Sequence, residues 1–186
     1  MIKATYGHGT HNDFVLVFDE ADQLKFTPEQ VKQICDRNTG VGSDGFIKII
    51  KKDGQWFMDY LNADGSVAEM CGNGIRVMAR YLTQNNHQGS GIYSINTRDG
   101  RKFLSVPDDG DIAVNMGQVA QIPGEIKVTV NGNTFRGFNI DMGNPHAVVF
   151  VEDMSLIGDL KTQPVVEPAS EFPDGVNIEF VKFLEN

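Results

Sequence analysis

A chain of 186 residues has room for one ordinary domain or two small ones, and 40% hydrophobic with 22% charged residues fit a globular protein rather than a disordered or fibrous one. Sixteen Lys and Arg against 25 Asp and Glu leave a formal charge of −9, which repels phosphate backbones and anionic lipid, so neither nucleic acid nor membrane is expected as a partner. Only two cysteines, no basic leader followed by an apolar run, and no apolar stretch of about 18 residues point to a reducing cytoplasm and exclude a disulfide scaffold.

The first strand is predicted at Phe14-Val15-Leu16-Val17-Phe18, a continuous apolar run after the Gly-rich segment from Gly7 to Asp13. A helix starts at Thr27, with Pro28 at its first position, Gln30 closing a capping box and Phe26 and Val31 at staple positions; it should end near Asn38 to Gly40. Phe46 to Lys51 and Trp56 to Leu61 flank Asp53-Gly54, a turn dipeptide that favours an antiparallel hairpin. After the loop Asn62-Ala63-Asp64-Gly65-Ser66, the apolar residues Ile75, Met78, Ala79 and Leu82 recur at helical spacing and define one buried face, with Arg76 and Arg80 on another.

Two further hairpins should turn at Asp99-Gly100, between Ile92 to Ile95 and Phe103 to Val106, and at Asn131-Gly132, between Ile126 to Val130 and Thr134 to Ile140. The class is α+β, rich in antiparallel strands. Asp108 to Asp111 reads as a solvated turn, and the strand-poor stretch from Gly117 to Pro123 puts a domain boundary near residue 115, dividing the chain into 1–115 and 116–186. An internal echo links the two parts: Asn12 to Phe18 resembles Asn144 to Val151 at an offset of about 132 residues. A tandem of one unit would then run past residue 220, so the second copy is expected to be cut short.

The densest constellation runs from Asn62 to Arg76 and places Cys71 where a loop enters the amphipathic helix. Free N–H groups and the positive end of the helix dipole beside the sulfur favour thiolate over thiol, and Gly72 and Gly74 let a carboxylate approach the backbone closely. The same spacing is met by a small buried cysteine with two glycines that merely turn the chain. Gly40 to Gly45 matches the letters of a dinucleotide fingerprint but follows a helix and precedes a strand, so it is a turn. His8 and His11 lack further ligands and predict no metal, and Cys35 lies with Val31 and Ile34 on an apolar helix face.

Six segments in order resemble the diaminopimelate epimerase family: Gly9 to Phe14, Cys35-Asp36-Arg37, Gly42 to Gly45, Asp59 to Arg76, Met142 to His146, and Phe172 to Asn177. The resemblance implies pseudo-symmetric halves, each a curved antiparallel-rich sheet around a central helix, with the second half incomplete here. It implies an isomerase that inverts an amino-acid α-carbon with two cysteines and no cofactor, taking LL- to meso-diaminopimelate. Carried over by motif, Cys71 is one acid/base residue and the backbone at Gly72 and Asn73 holds the α-carboxylate. Asn12, Asn62, Asn144 and Asn177 bind polar groups of the substrate, and His146 supports the site.

The family's second cysteine segment and its upstream Glu-Arg pair do not occur in this sequence; the internal offset puts the missing cysteine near position 203. Three alternatives stay open at this point: a related amino-acid racemase, a non-catalytic amino-acid-binding remnant, and a Cys35 to Cys71 redox switch. An unfinished second half would also leave apolar surface and open sheet edges, which favour self-association and leave a homodimer open.

Overall fold

A computed structural model of the chain describes residues 2–173 and 175–184. The chain divides into two compact units, Met1–Met116 and Gly117–Asn186. The first unit runs β1 (Thr5–Gly9), β2 (Asn12–Phe18), α1 (Pro28–Cys35), β3 (Gly45–Lys52), β4 (Gln55–Asn62), α2 (Gly72–Gln84), β5 (Gly91–Thr97), β6 (Gly100–Val106) and β7 (Ala113–Asn115). Its seven strands form one sheet in chain order. Neighbours are antiparallel except β2 with β3 and β4 with β5, the two places where a helix supplies the crossover that a parallel pair needs.

Those two crossovers leave from strands that run in opposite directions, so right-handed connections land on opposite faces of the sheet. The core follows this division. On one face α2 sets Ile75, Met78, Ala79 and Leu82, all fully buried, against Phe14, Leu16, Ile47, Ile49 and Met58. On the other, Val31 and Cys35 of α1 meet Val15, Val17 and Phe46. Strand β2 is covered on both sides, and for that reason its sequence is a continuous apolar run rather than an alternation.

The helical face predicted from Ile75 to Leu82 and the Thr27 capping box are both present. The β3–β4 hairpin turns at Asp53 and Gly54, and the hairpin that follows Val130 turns at Asn131 and Gly132, each with positive φ at both positions. Four local expectations are corrected. Helix α1 stops at Cys35 because the Asp36 carboxylate accepts from the N–H groups of Asn38 and Thr39, a side-chain turn that competes with helix propagation. The segment from Gly7 to Asp13 is a tight hairpin, its turn made by Thr10 and His11 at φ 53° and 62°. The second hairpin loop is Arg98-Asp99, with Gly100 already paired to Thr97. Finally, the stretch before Pro123 is strand.

That strand opens the second unit, which runs β8 (Ala120–Val130), β9 (Asn133–Asp141), β10 (Pro145–Phe150), β11 (Val165–Glu167) and β12 (Asn177–Val181). The sheet order is β11-β8-β9-β10-β12. An irregularity between Ile122 and Ile126 absorbs Pro123 and Gly124 and lets β8 continue past a residue that has no N–H to give. Among the described residues this unit has no α-helix, only 3-10 turns at Met154–Ile157 and Ala169–Glu171. Both sheets are curled and rich in antiparallel pairs, an α+β architecture.

The internal echo extends to register. In the first unit Phe14 faces Gly45 across the parallel β2–β3 pair, and in the second His146 faces Asn177 across the parallel β10–β12 pair. Both members lie 132 positions further on. Val15 and Val17, buried in the first unit, correspond to Ala147 and Val149, buried in the second.

Candidate active site

Helix α2 begins where Cys71 leaves extended geometry at φ −140° and ψ 118° and caps the helix with its own sulfur, which accepts the Gly74 N–H at 3.4 Å. Gly74 is buried, and a Cβ there would stand 3.1 Å from Ile47 Cδ1 and 3.4 Å from Phe14 Cε1, so glycine is what lets the helix start sit on the sheet. The N–H groups of Gly72 and Asn73 belong to the first turn, whose donors have no intrahelical acceptor. Cys71, Gly72 and Asn73 are half-buried. Below them the Tyr60 phenol is pushed up to about 12 by burial and stays neutral.

Asn12, the first residue of β2, reaches the same place. Its Oδ1 accepts from the Cys71 thiol at 3.6 Å and from Asn73 Nδ2 at 3.4 Å, and its Nδ2 donates to Asp44 Oδ2 at 2.8 Å. Arg76, one turn into α2, donates to Asn73 Oδ1 and, at 3.0 Å, to Thr10 Oγ1. Thus Asn12, Cys71, Gly72 and Asn73 are brought together at the start of α2.

Behind Asn12 stands an ion-pair group to which the sequence reading gave no role. Arg37 donates to both carboxylate oxygens of Asp13, at 3.0 and 2.9 Å, and to Asp44 Oδ1 at 2.8 Å. Asp44 N–H donates to Asp13 Oδ1 at 2.7 Å, and Tyr6 donates its hydroxyl to Asp13 Oδ2 at 2.6 Å. The Arg37 guanidinium holds the Asp13 carboxyl well below the usual carboxylate range. The available signal was Asp13 itself: a charge at the head of a doubly covered strand needs a partner.

Asn62 ends β4 opposite Gly45, and its Nδ2 donates to Ser66 Oγ at 3.0 Å, so this nitrogen closes the 62–66 turn. Asn144, His146 and Asn177 lie in the second unit and form a cluster of their own. His146 Nδ1 stands 2.8 Å from Glu179 Oε1 and Nε2 2.9 Å from Asn144 Oδ1, while Asn177 Nδ2 donates to the Pro145 carbonyl at 3.3 Å. Glu179 is the member that the sequence reading missed; its Oε2 is buried without a hydrogen-bond partner among the described residues. Asp174, in the last of the six segments, lies outside the described residues.

Cys35 is 3% exposed, accepts a hydrogen bond from Ser43 Oγ at 3.3 Å, and burial pushes its thiol up. Both cysteines are free thiols. His8 and His11 are exposed, with stacked rings 6.2 Å apart, and Gly40 to Asp44 form the turn that delivers Asp44. The Asp108 to Asp111 loop is exposed, and Arg80 donates to the carbonyls of Pro107, Asp108 and Gly110. Among the described residues no helix is long and apolar enough to cross a membrane.

The family model described as diaminopimelate epimerase matches residues 4–122. A diaminopimelate epimerase of Streptomyces coelicolor is 44% identical, covering 94% of this chain and 64% of that one. One of Corynebacterium glutamicum is 37% identical, covering 97% of this chain and 70% of its own. This chain therefore spans roughly two thirds of the relatives it matches. Among solved structures, a PhzF-family phenazine biosynthesis protein of Bacillus anthracis superimposes with a TM-score of 0.63 at 14% identity, covering 100% of this chain and 68% of that one, a likeness of fold.

Proposed function

This chain belongs to the diaminopimelate epimerase family, and from that premise we propose that it acts on diaminopimelate, with Cys71 as one of the groups that move the α-proton. The reaction is inversion of one α-carbon, LL to meso, in the cytoplasmic synthesis of lysine and peptidoglycan. The observation that carries this reading is a thiol at the N-cap of α2 with the N–H groups of Gly72 and Asn73 beside it. Removing an α-proton builds a carbanion next to a carboxylate, and a helix N-terminus is a fixed set of donors for the charge that develops there. A substrate carboxylate on Gly72 and Asn73 would bring its α-carbon to Sγ. The amides of Asn12 and Asn73 line the same edge, and Asn62 takes a polar group of the substrate.

Inversion takes a proton from one face and returns one to the other, so it needs two groups. Cys35 does not fit the second role: it is buried under α1, and its sulfur is engaged by Ser43. We assign one acid/base thiol to these 186 residues, so this chain by itself should exchange an α-proton more readily than it inverts a centre. The contrasting reading, an amino-acid-binding protein without turnover, is favoured by the same burial of Cys35.

Solvent deuterium incorporation at the α-carbon of diaminopimelate separates them. Exchange by the purified chain that vanishes in Cys71→Ser supports the thiol as the base. Binding measured by calorimetry with no exchange from folded protein would replace the epimerase reading by the binding one.

A further inference from the structure

The hydrogen bonds around Cys71 form a chain with a direction. Arg76 has only donors and Asp44, as a carboxylate, only acceptors, and between them stand the amides of Asn73 and Asn12. The guanidinium must face Asn73 Oδ1, which turns Asn73 Nδ2 toward Asn12; the Asp44 carboxylate must face Asn12 Nδ2, which turns Asn12 Oδ1 back toward Asn73 and Cys71. Neither amide can flip without setting donor against donor or acceptor against acceptor. The two ends therefore decide which atom of Asn12 the sulfur meets.

We infer that Asp44 and Arg76 are positioning residues whose amide relay presents the Asn12 carbonyl oxygen, not its N–H, to Cys71. An oxygen acceptor 3.6 Å from Sγ complements S–H and opposes S−, whereas the Gly74 N–H on the other side accommodates either. The relay thus aims the S–H of Cys71 along the Asn12 carbonyl. Asp13 and Arg37 hold Asp44 in place through the Asp44 N–H and Oδ1. The charged groups around the sulfur are Asp44 and Asp13 with Arg37, and Arg76 on α2; Tyr60 of β4 beneath is neutral. The inference rests on the reading of Cys71 as the acid/base thiol but is tested without substrate, so a chain that never exchanges an α-proton can still report on the relay.

The test is the rate of Cys71 alkylation by iodoacetamide against pH, with Cys35→Ala as the common background, since the thiolate is the species that reacts. Asp44→Asn releases Asn12, whose N–H can then turn to the sulfur, and alkylation at pH 7 should rise about fivefold, the factor that one hydrogen bond is worth. In Asn12→Ala the same Asp44→Asn change should do nothing further. An equal rise in both backgrounds would mean that Asp44 acts by charge alone and would overturn the relay, as would no rise in either. Where Asp44→Asn does not fold, the Asn12 side-chain amide is read by NMR in the unmodified sequence. One Nδ2 proton should exchange slowly, and two protons exchanging as in a free amide would refute the assignment.

Discussion

Gly65 and Gly54 form a natural pair for testing how the 62–66 turn is held. Both have positive φ, +84° and +75°, so an alanine at either meets the same left-handed strain, about 1 kcal/mol. Their surroundings differ completely. A Cβ on Gly54 meets nothing within 4 Å, whereas on Gly65 it would stand 2.3 Å from the Pro28 carbonyl oxygen and 2.7 Å from two further backbone atoms of Pro28. Those atoms open α1, and relieving them means parting the turn from the helix by about 1 Å, an overpacking cost of about 2 kcal/mol. We expect Gly54→Ala to lose about 1 kcal/mol and Gly65→Ala about 3 kcal/mol. In a unit of this size that corresponds to midpoint shifts of about 4 °C and about 12 °C. Thermal and urea unfolding followed by circular dichroism measure both. Equal shifts for the two variants would refute the claim that this turn, which leads from β4 toward Cys71, is clamped on the first residue of α1.

Three other outcomes are expected. Changing Leu82, fully buried on the inner face of α2, to Ala should cost about 3 kcal/mol in the same unfolding assay, because α2 holds the sheet through that face. Asp13 is ionised in the folded chain at acidity where the unfolded chain, with a carboxyl near about 3.9, binds a proton. Its contribution is complete above about pH 5 and is lost as the pH falls toward the depressed folded value. Asp13→Asn should therefore flatten the fall in melting temperature between about pH 5 and pH 3. Finally, Cys35→Ala should leave α-proton exchange at the level of the unmodified chain while lowering stability by about 1 kcal/mol, read by deuterium incorporation and urea unfolding.

What the sequence disclosed followed from locality. The α2 face is a four-residue pattern within eight positions, Asp53-Gly54 and Asn131-Gly132 are dipeptides with one favoured geometry, and each lies where expected. Strand β1 was hidden because its residues are exposed or half-buried and its turn is made by Thr10 and His11, side chains that seldom take positive φ. The strand before Pro123 was hidden by a residue that ordinarily ends one. In the site, Cys71 announced itself through its glycines. The group of Asp13, Arg37 and Asp44 did not, because its members are 24 and 31 positions from Asp13 along the chain and meet only when β2 lies beside β3. Asn62 and Ser66, only four apart, gave no hint from spacing that the amide closes its own loop.

The shared register of the two units means that this scaffold states each of its central positions twice. At one pair of those positions the first unit has Phe14 and Ile47, greasy residues wedged under the start of α2; the second has His146 and Glu179, hydrogen-bonded to each other. Their neighbours one residue along, Val15 and Ala147, stayed apolar in both. A doubled framework gives such freedom: one copy of a position can keep the architecture standing while its counterpart is released for polar work. Comparing the copies position by position therefore separates residues that the backbone requires from residues whose character it leaves free, and it does so within a single sequence.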